Sequence, residues 1–100
     1  MRSNPPPDHR PSDDLLDSTH LFPGTYTIKA IGRTSEDFES RVVAAVQAHL
    51  AAQSDLEYSV RATPGGRHLA VTLDITVQSA EQVREIYAEL RSVDGLTLLL

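Results

Sequence analysis

The chain of 100 residues contains no cysteine, and none of its apolar runs is long. Without cysteine it has no disulfide, no thiolate nucleophile and no thiolate metal ligand. A helix that spans a bilayer needs about 20 consecutive apolar residues, and no stretch approaches that length. The N-terminus also lacks the apolar segment of a signal peptide. These absences predict a cytoplasmic protein with no membrane partner.

Positive charge is scarce as well. Nine Lys and Arg residues stand against 14 Asp and Glu residues, which leaves a net charge of −5. Non-specific binding to nucleic acids or to anionic membranes depends on a positive field. The charge balance therefore argues against both kinds of partner.

Residues that would indicate catalysis or metal binding are not arranged in a recognisable pattern. The four histidines, His9, His20, His49 and His68, form no i,i+4 pair and no His-x-His motif, so a metal site has no support. Serine and aspartate are frequent, but none is paired with an identifiable base. The sequence therefore predicts no catalytic residue, no metal and no cofactor.

The N-terminal segment differs in composition from the rest of the chain. Residues 1–19 contain four prolines and four aspartates. A stretch this polar cannot compensate its ordering entropy by burial. We expect residues 1–19 to form a disordered tail unless Leu15 and Leu16 dock elsewhere, and residues 20–100 to form one domain.

Hydrophobic patterning in the domain alternates between strand and helix periods. Apolar residues alternate in three strand-like stretches and recur every three or four residues in two helix-like stretches. Ser79 and Gln82 form a capping box before the second helix, whereas Thr34 or Ser35 is expected to cap the first. The elements are β1 at 26–31, α1 up to 53–55, β2 at 58–63, β3 at 69–77, α2 from 79 to 94 and β4 at 96–100.

The order β-α-β-β-α-β is that of an α+β, ferredoxin-like sandwich. Two right-handed crossovers joined by a hairpin predict an antiparallel sheet of order 4-1-3-2, with both helices on one face. The other face is open. Its middle positions are Thr, Ser and Ala rather than aromatic residues on which bases stack, which makes a nucleic-acid-binding sheet a weak alternative.

The loop after β1 is the best candidate for a small-ligand site. Gly32, Arg33, Thr34 and Ser35 lead into a helix N-terminus, where free N–H groups, the helix dipole and a guanidinium favour an anion. Acyl-phosphate hydrolases of this fold also place an arginine near this loop. They need a positioned asparagine, however, and Asn4 in the tail is the only one in this sequence.

The β4 edge is the best candidate for a protein interface. Natural sheet edges are usually blunted by charge, proline or bulges, and residues 96–100 are expected to contain none of these apart from the terminal carboxylate. Leu96, Leu98 and Leu100 are expected to face the helices, which leaves Leu99 on the open face beside Ile31. A second copy or another protein partner could then extend the sheet at β4.

Several short stretches, in this order and spacing, carry a family resemblance. They are residues 21–23, 29–32, 66–72, 79–83 and 86–90, followed by the leucine-rich last strand. Together they resemble the YbeD-like family of small bacterial proteins of unknown function, over residues 21–100. The resemblance implies an ACT-like fold and a link to lipoate metabolism. It matches Lys29 and Gly32 to family positions at the end of β1, the region where ACT domains bind ligands.

Residues and resemblance together predict a non-enzymatic regulatory or protein-interaction module. Lys29, Gly32, Arg33, Thr34 and Ser35 form its predicted ligand site, for a small anion. Ile31, Leu96, Leu98 and Leu99 form its predicted interface. The alternative is a small hydrolase or anion-binding enzyme that uses residues 32–35.

Overall fold

The computed structural model describes residues 22–35 and 37–100. The predicted tail, residues 1–19, lies outside them. The elements are β1 (Gly24–Arg33), α1 (Phe38–Gln47), a 3₁₀ turn (Gln53–Asp55), β2 (Leu56–Ala62), β3 (His68–Val77), α2 (Ala80–Arg91) and β4 (Leu96–Leu99). The described part of the chain contains no helix long and apolar enough to cross a membrane.

The four strands form one antiparallel sheet of order β2-β3-β1-β4, which reads β4-β1-β3-β2 from the opposite edge. β1 and β3 are its two central strands and pair along ten residues each, from Gly24 opposite Val77 to Arg33 opposite His68. β2 and β4 are the two edges. The α+β architecture, with four strands and two helices, is as the sequence predicts.

The core lies between the helices and one face of the sheet. β3 alternates strictly, and its core-side residues at 71, 73, 75 and 77 are buried. Both helices place an apolar stripe on this face; its buried members are Phe38, Val42, Val46, Ala80, Val83, Ile86 and Leu90. Each large apolar side chain buried in this way contributes about 1.5–3 kcal/mol, so this face holds the fold together.

The second helix begins at the predicted Ser79 cap, but the reciprocal bond of the Gln82 side chain goes to Gln78 rather than to Ser79. The Ser79 hydroxyl accepts a hydrogen bond from the Gln82 backbone N–H at 3.2 Å. The Gln82 side chain accepts from the Gln78 N–H at 2.7 Å and donates to the His49 carbonyl at 2.7 Å. Gln82 therefore caps its own helix and also ties it to the end of α1.

The first helix begins differently from the prediction. Neither Thr34 nor Ser35 caps it; the residue before the helix is Asp37, whose backbone is left-handed (φ 59°) and whose side chain makes no capping hydrogen bond. The Phe38 N–H donates instead to the Ser35 carbonyl at 3.2 Å. A backbone turn thus supplies the acceptor that a serine hydroxyl was expected to supply.

The last strand contains a bulge that changes which leucines face the core. Ile31 lies opposite Leu98, but the next residue, Gly32, lies opposite Leu96, so Thr97 is an extra residue in β4. A bulge of this kind reverses the facing of the residues that follow it. Leu99 consequently packs against the core, whereas Leu98 and Leu100 lie on the open face, so the predicted facing of all three leucines is wrong. The expectation that this edge contains no bulge is wrong as well.

Candidate functional site

The loop after β1 does not offer the free N–H groups expected of an anion site. The N–H of Arg33 donates to the Gly95 carbonyl at 3.0 Å, that of Thr34 to the Arg67 carbonyl at 2.9 Å, and that of Ser35 to the Arg33 carbonyl at 2.9 Å. The premise of free donors is therefore wrong for these three residues. Ligand binding at the loop itself stays a prediction.

Gly32 has a packing role in this structure. A Cβ atom built there would overlap the ring of Phe38 and lie 2.7 Å from the Gly95 carbonyl oxygen. Only a glycine lets the first strand, the first residue of α1 and the turn before β4 approach so closely. The need for glycine at this position follows from this contact without any ligand.

A shallow depression of about 290 Å³ lies beside the start of α1. Among the described residues, it is lined by Thr34, Ser35, Asp37, Phe38, Glu39, Ser40 and Leu69. Of the predicted ligand residues, Thr34 and Ser35 reach it. Arg33 is not part of the lining, and the two carboxylates disfavour an anion there. The depression thus lacks the cation that the sequence argument required.

Lys29 and Arg33 lie together on the open face of the sheet. Both alternate with the buried residues of β1, and their cross-strand neighbours are Thr72 and His68. Arg61, on β2, lies on the same face opposite Ala70. All three cations are exposed, and none forms an ion pair with another described residue.

Apolar side chains lie beside these cations, at the β4 edge. Leu98 lies opposite Ile31, and Leu100 exchanges two backbone hydrogen bonds with Lys29, of 2.8 and 3.1 Å. Leu98 and Leu100 are 47% and 59% exposed and lie two residues apart on this face. Of the predicted interface residues, Ile31 and Leu98 share this surface, whereas Leu96 and Leu99 pack against the core.

The backbone of β4 is open to another strand. In an antiparallel ladder, hydrogen-bonded pairs alternate with pairs whose N–H and C=O groups point outward. Since Leu100 bonds to Lys29, the backbone groups of Leu99 point away from β1. The edge therefore combines unpaired backbone groups with two exposed leucines.

The opposite edge carries a second exposed apolar pair that the sequence analysis missed. Tyr58 and Val60 of β2 lie on the helix side of the sheet, yet they are 46% and 37% exposed. The alternation of apolar and polar residues in β2 predicted correctly that both side chains lie on the helix side. The sequence could not show that the helices leave this strand largely uncovered.

A groove of about 410 Å³ runs between the two helices. Among the described residues, its lining consists of Arg41, Ala44, Ala45, Ala48, Glu89, Ser92, Val93 and Asp94. The Arg41 side chain already donates to the Asp94 carbonyl at 3.2 Å. The described residues include no group of three or more potential metal ligands here or elsewhere.

Comparison with solved structures shows similarity of fold. The chain matches protein HP0495 from Helicobacter pylori with a TM-score of 0.62 at 11% identity, covering 100% of this chain and 98% of that one. It matches the ACT domain of the GTP pyrophosphokinase from Chlorobium tepidum with a TM-score of 0.56 at 14% identity, covering 76% and 94%. These identities support an ACT-like fold and nothing further.

Sequence comparison shows the family. A UPF0250 protein from Shewanella woodyi is 34% identical over 88 residues, which are 88% of this chain and 98% of that protein. A UPF0250 protein from Shewanella oneidensis is 33% identical over 88 residues, covering 88% and 93%. The model of the family described as "Protein of unknown function (DUF493)" matches residues 17–100. The resemblance to YbeD-like proteins is thus confirmed, and the chain belongs to this DUF493 family.

Proposed function

We propose that this protein is a non-catalytic interaction module of ACT-like fold that pairs with a second copy through the β4 edge. The observation that carries the proposal is the row of Ile31 and Leu98, with Leu100 beside it, at an edge whose outward backbone groups are unpaired in the described chain. Two copies joined there would cover both leucines and complete the hydrogen bonds of both edges.

A regulatory role follows from the same proposal. A non-catalytic module acts by binding other molecules. If it exists as monomer and dimer, a partner or ligand that prefers one of the two forms shifts the equilibrium between them. The similarity in fold to the ACT domain of a GTP pyrophosphokinase supports this part of the proposal. The cytoplasmic location and the link to lipoate metabolism stay predictions.

The alternative, a hydrolase or anion-binding enzyme at residues 32–35, has less support. The N–H groups of Arg33, Thr34 and Ser35 are already bonded, and carboxylates line the nearby depression. An anion would have to displace backbone bonds and approach Asp37 and Glu39. Titration with inorganic phosphate checks this alternative: amide shifts confined to residues 32–35, and lost in Arg33→Ala, would support it.

Light scattering after size exclusion tests the proposed pairing. We expect the mass of a dimer for the wild type and of a monomer for Leu98→Lys, because like charges from the two copies would then lie beside each other on the open face of the joined sheet. Leu98 is half exposed, so the variant keeps its fold, which circular dichroism verifies.

The matched control is Val60→Lys, a charge at an exposed apolar position of the other edge. This variant should remain dimeric. If instead Val60→Lys gives monomers and Leu98→Lys does not, copies pair through β2. A wild type that stays monomeric at all concentrations contradicts self-pairing.

A further inference from the structure

The β2 edge of the sheet is longer than the β4 edge and is open along its length. β2 spans seven residues, Leu56–Ala62, against four in β4. All of them except Leu56 are exposed. Among the described strands, only β3 pairs with β2. The free side of β2 is therefore long enough to receive a strand of ordinary length from another chain.

The backbone groups of Tyr58 and Val60 point away from the sheet. The Thr63 N–H donates to the His68 carbonyl at 2.9 Å, so the backbone groups of Thr63 face β3. Because this facing alternates along an antiparallel strand, Ser59 also bonds to β3, whereas Tyr58 and Val60 turn their N–H and C=O groups outward. No described strand lies on that side. These are the groups to which an added strand bonds.

On the helix side, the edge is apolar. Tyr58 and Val60 lie opposite the buried Leu73 and Val71, but they are themselves 46% and 37% exposed. An added strand would lie about 4.8 Å from β2, and its side chains on this side would cover both residues. Pairs of aromatic and β-branched residues are favourable across strands. The helix side of the edge therefore selects apolar residues.

On the open face, the same edge carries two opposite charges. Glu57 and Arg61 lie four residues apart on this face, with Ser59 between them. In the new ladder all three would occupy non-hydrogen-bonded positions, where opposing side chains come closest. Opposite charges stabilise such pairs and like charges destabilise them. A matching strand therefore needs an acidic residue opposite Arg61 and a basic residue opposite Glu57.

The remaining charges of the open face support this pattern. Glu57 lies opposite Asp74, a pair of like charges, and neither carboxylate forms an ion pair with another described residue. Lys29 lies on β1, two strands away from Glu57. Arg61 lies opposite Ala70, so its neighbour on β3 carries no charge. A cation beside Glu57 would thus relieve the repulsion between two carboxylates, whereas a carboxylate is favoured only beside Arg61.

We propose that the β2 edge binds an extended segment of a partner protein, which adds to the sheet antiparallel to β2. The segment carries an acidic residue opposite Arg61, a basic residue opposite Glu57 and apolar residues opposite Tyr58 and Val60. In the dimer of the proposed function, both β2 edges lie at the outer ends of the joined sheet and stay free for such a partner. The binding site itself does not depend on pairing at β4.

A second copy of the chain is the competing occupant of this edge. β2 contains both charges, so Glu57 and Arg61 of one copy would lie opposite Arg61 and Glu57 of another. Pairing at β2 in addition to β4 would continue the sheet beyond the dimer. Light scattering separates the two occupants: a wild-type mass that Val60→Lys lowers means that a copy covers β2, which overturns the partner proposal.

Two labelled peptides of equal composition test the recognition. The peptide Thr-Glu-Phe-Thr-Val-Lys-Thr has the required pattern when it lies antiparallel to β2. The control Thr-Lys-Phe-Thr-Val-Glu-Thr exchanges only its two charges. By fluorescence anisotropy we expect a dissociation constant at least about fivefold higher for the control. Equal affinities, or no binding of the first peptide up to about 1 mM, overturn the proposal. Tighter binding of the control means parallel addition and overturns the antiparallel arrangement.

Exchange of the charges in the protein should reverse this preference. In Glu57→Arg combined with Arg61→Glu, the control peptide should bind more tightly than the first. Both positions are exposed, so the variant keeps its fold, which circular dichroism verifies. A variant that still prefers the first peptide overturns the assigned contacts of Glu57 and Arg61.

Hydrogen exchange locates the bound peptide. The first peptide should slow the exchange of the Tyr58 and Val60 amides and leave Ser59, whose backbone already bonds to β3, unchanged. Slower exchange at Leu99 instead would place the peptide at β4 and overturn the site.

Failure of this site and failure of the proposed function can be told apart. Leu98→Lys changes only the β4 edge, so it should bind the first peptide with an unchanged dissociation constant, whereas Val60→Lys should weaken the binding several-fold. Peptide binding in a protein that never dimerises supports the β2 site and contradicts pairing at β4. Dimers that do not bind the peptide support pairing at β4 and contradict the β2 site.

Discussion

At the scale of single residues, the close contact at Gly32 has the clearest consequence. We expect Gly32→Ala to lower the free energy of unfolding by about 1–3 kcal/mol, the usual cost of overpacking a core. The added methyl group would overlap the Phe38 ring and press on the Gly95 carbonyl. Urea denaturation of both proteins measures the difference.

A double-mutant cycle identifies the cause. In a Phe38→Leu background the ring is gone, so Gly32→Ala should cost less than in the wild type. The contact with Gly95 remains, so some cost persists. If the two substitutions are additive, the ring does not limit the space at Gly32.

Tyr87 is a second residue with a measurable property. Burial, together with the nearby hydroxyl of Tyr26, raises the pKa of Tyr87 from 10.0 to about 12, although Arg91 acts in the opposite direction. The Tyr26 and Tyr87 rings meet edge to face, with 6.3 Å between centroids. Ultraviolet titration should therefore show a phenol that ionises late, absent in Tyr87→Phe and retained in Tyr58→Phe.

The shifted pKa of Tyr87 also links stability to pH. The folded state favours the neutral phenol, so the contribution of Tyr87 is fully present below pH 10 and is lost as the pH rises towards about 12. We expect the free energy of unfolding to fall less steeply over this window in Tyr87→Phe than in the wild type. Identical slopes in urea series would contradict the assignment.

At the scale of elements, the bulge in β4 makes two neighbouring leucines unequal. Leu99 packs against the core, whereas Leu98 is 47% exposed on the other face. We expect Leu99→Ala to cost about 1–2 kcal/mol, less than a fully buried leucine, and Leu98→Ala to cost under about 0.5 kcal/mol. Without the bulge, Leu98→Ala would cost more than Leu99→Ala. Urea denaturation of the two variants therefore tests the register of β4. The measurement is made at concentrations where the protein is monomeric.

The N-termini of the two helices provide another contrast. Ser79→Ala should lower the free energy of unfolding by about 1 kcal/mol, because its hydroxyl caps the Gln82 N–H. Ser35→Ala is the matched control and should have almost no effect, since only the Ser35 backbone contributes to the start of α1. Equal losses would mean that a hydroxyl caps both helices.

These contrasts show what local patterns can predict. The alternation of β3 and the capping box at Ser79 depend on near neighbours, and both elements appear where the sequence places them. The facing of Leu98 and Leu99 depends on one extra residue at Thr97, which alternation cannot reveal in a strand of leucines. The left-handed Asp37 likewise moves the start of α1 beyond the predicted caps.

In the candidate site too, features set by near neighbours are predictable from the sequence, and features set by distant residues are not. Lys29, Ile31 and Arg33 share a face because a strand has a period of two, which the sequence is enough to predict. The N–H groups of Arg33 and Thr34 donate to the carbonyls of Gly95 and Arg67, which are far away in the sequence. No pattern within residues 32–35 indicates that those donors are already used.

At the scale of the whole molecule, the two sheet edges differ in the face that is exposed. Leu98 and Leu100 of β4 lie on the open face, whereas Tyr58 and Val60 of β2 lie on the helix side. Joining β4 to β2 would place one apolar pair on each side of the continuous sheet. Joining β4 to β4 places both leucine pairs on the same side, where they can cover each other.

This asymmetry leads to a prediction about the size of the assembly. A two-fold contact between identical edges closes after two chains, whereas contact between unlike edges leaves a free edge at each end and continues. We therefore expect the mass measured by light scattering to rise with concentration and then level at that of a dimer. A mass that keeps rising, and that both Leu98→Lys and Val60→Lys suppress, would show instead that β4 of one molecule adds to β2 of the next.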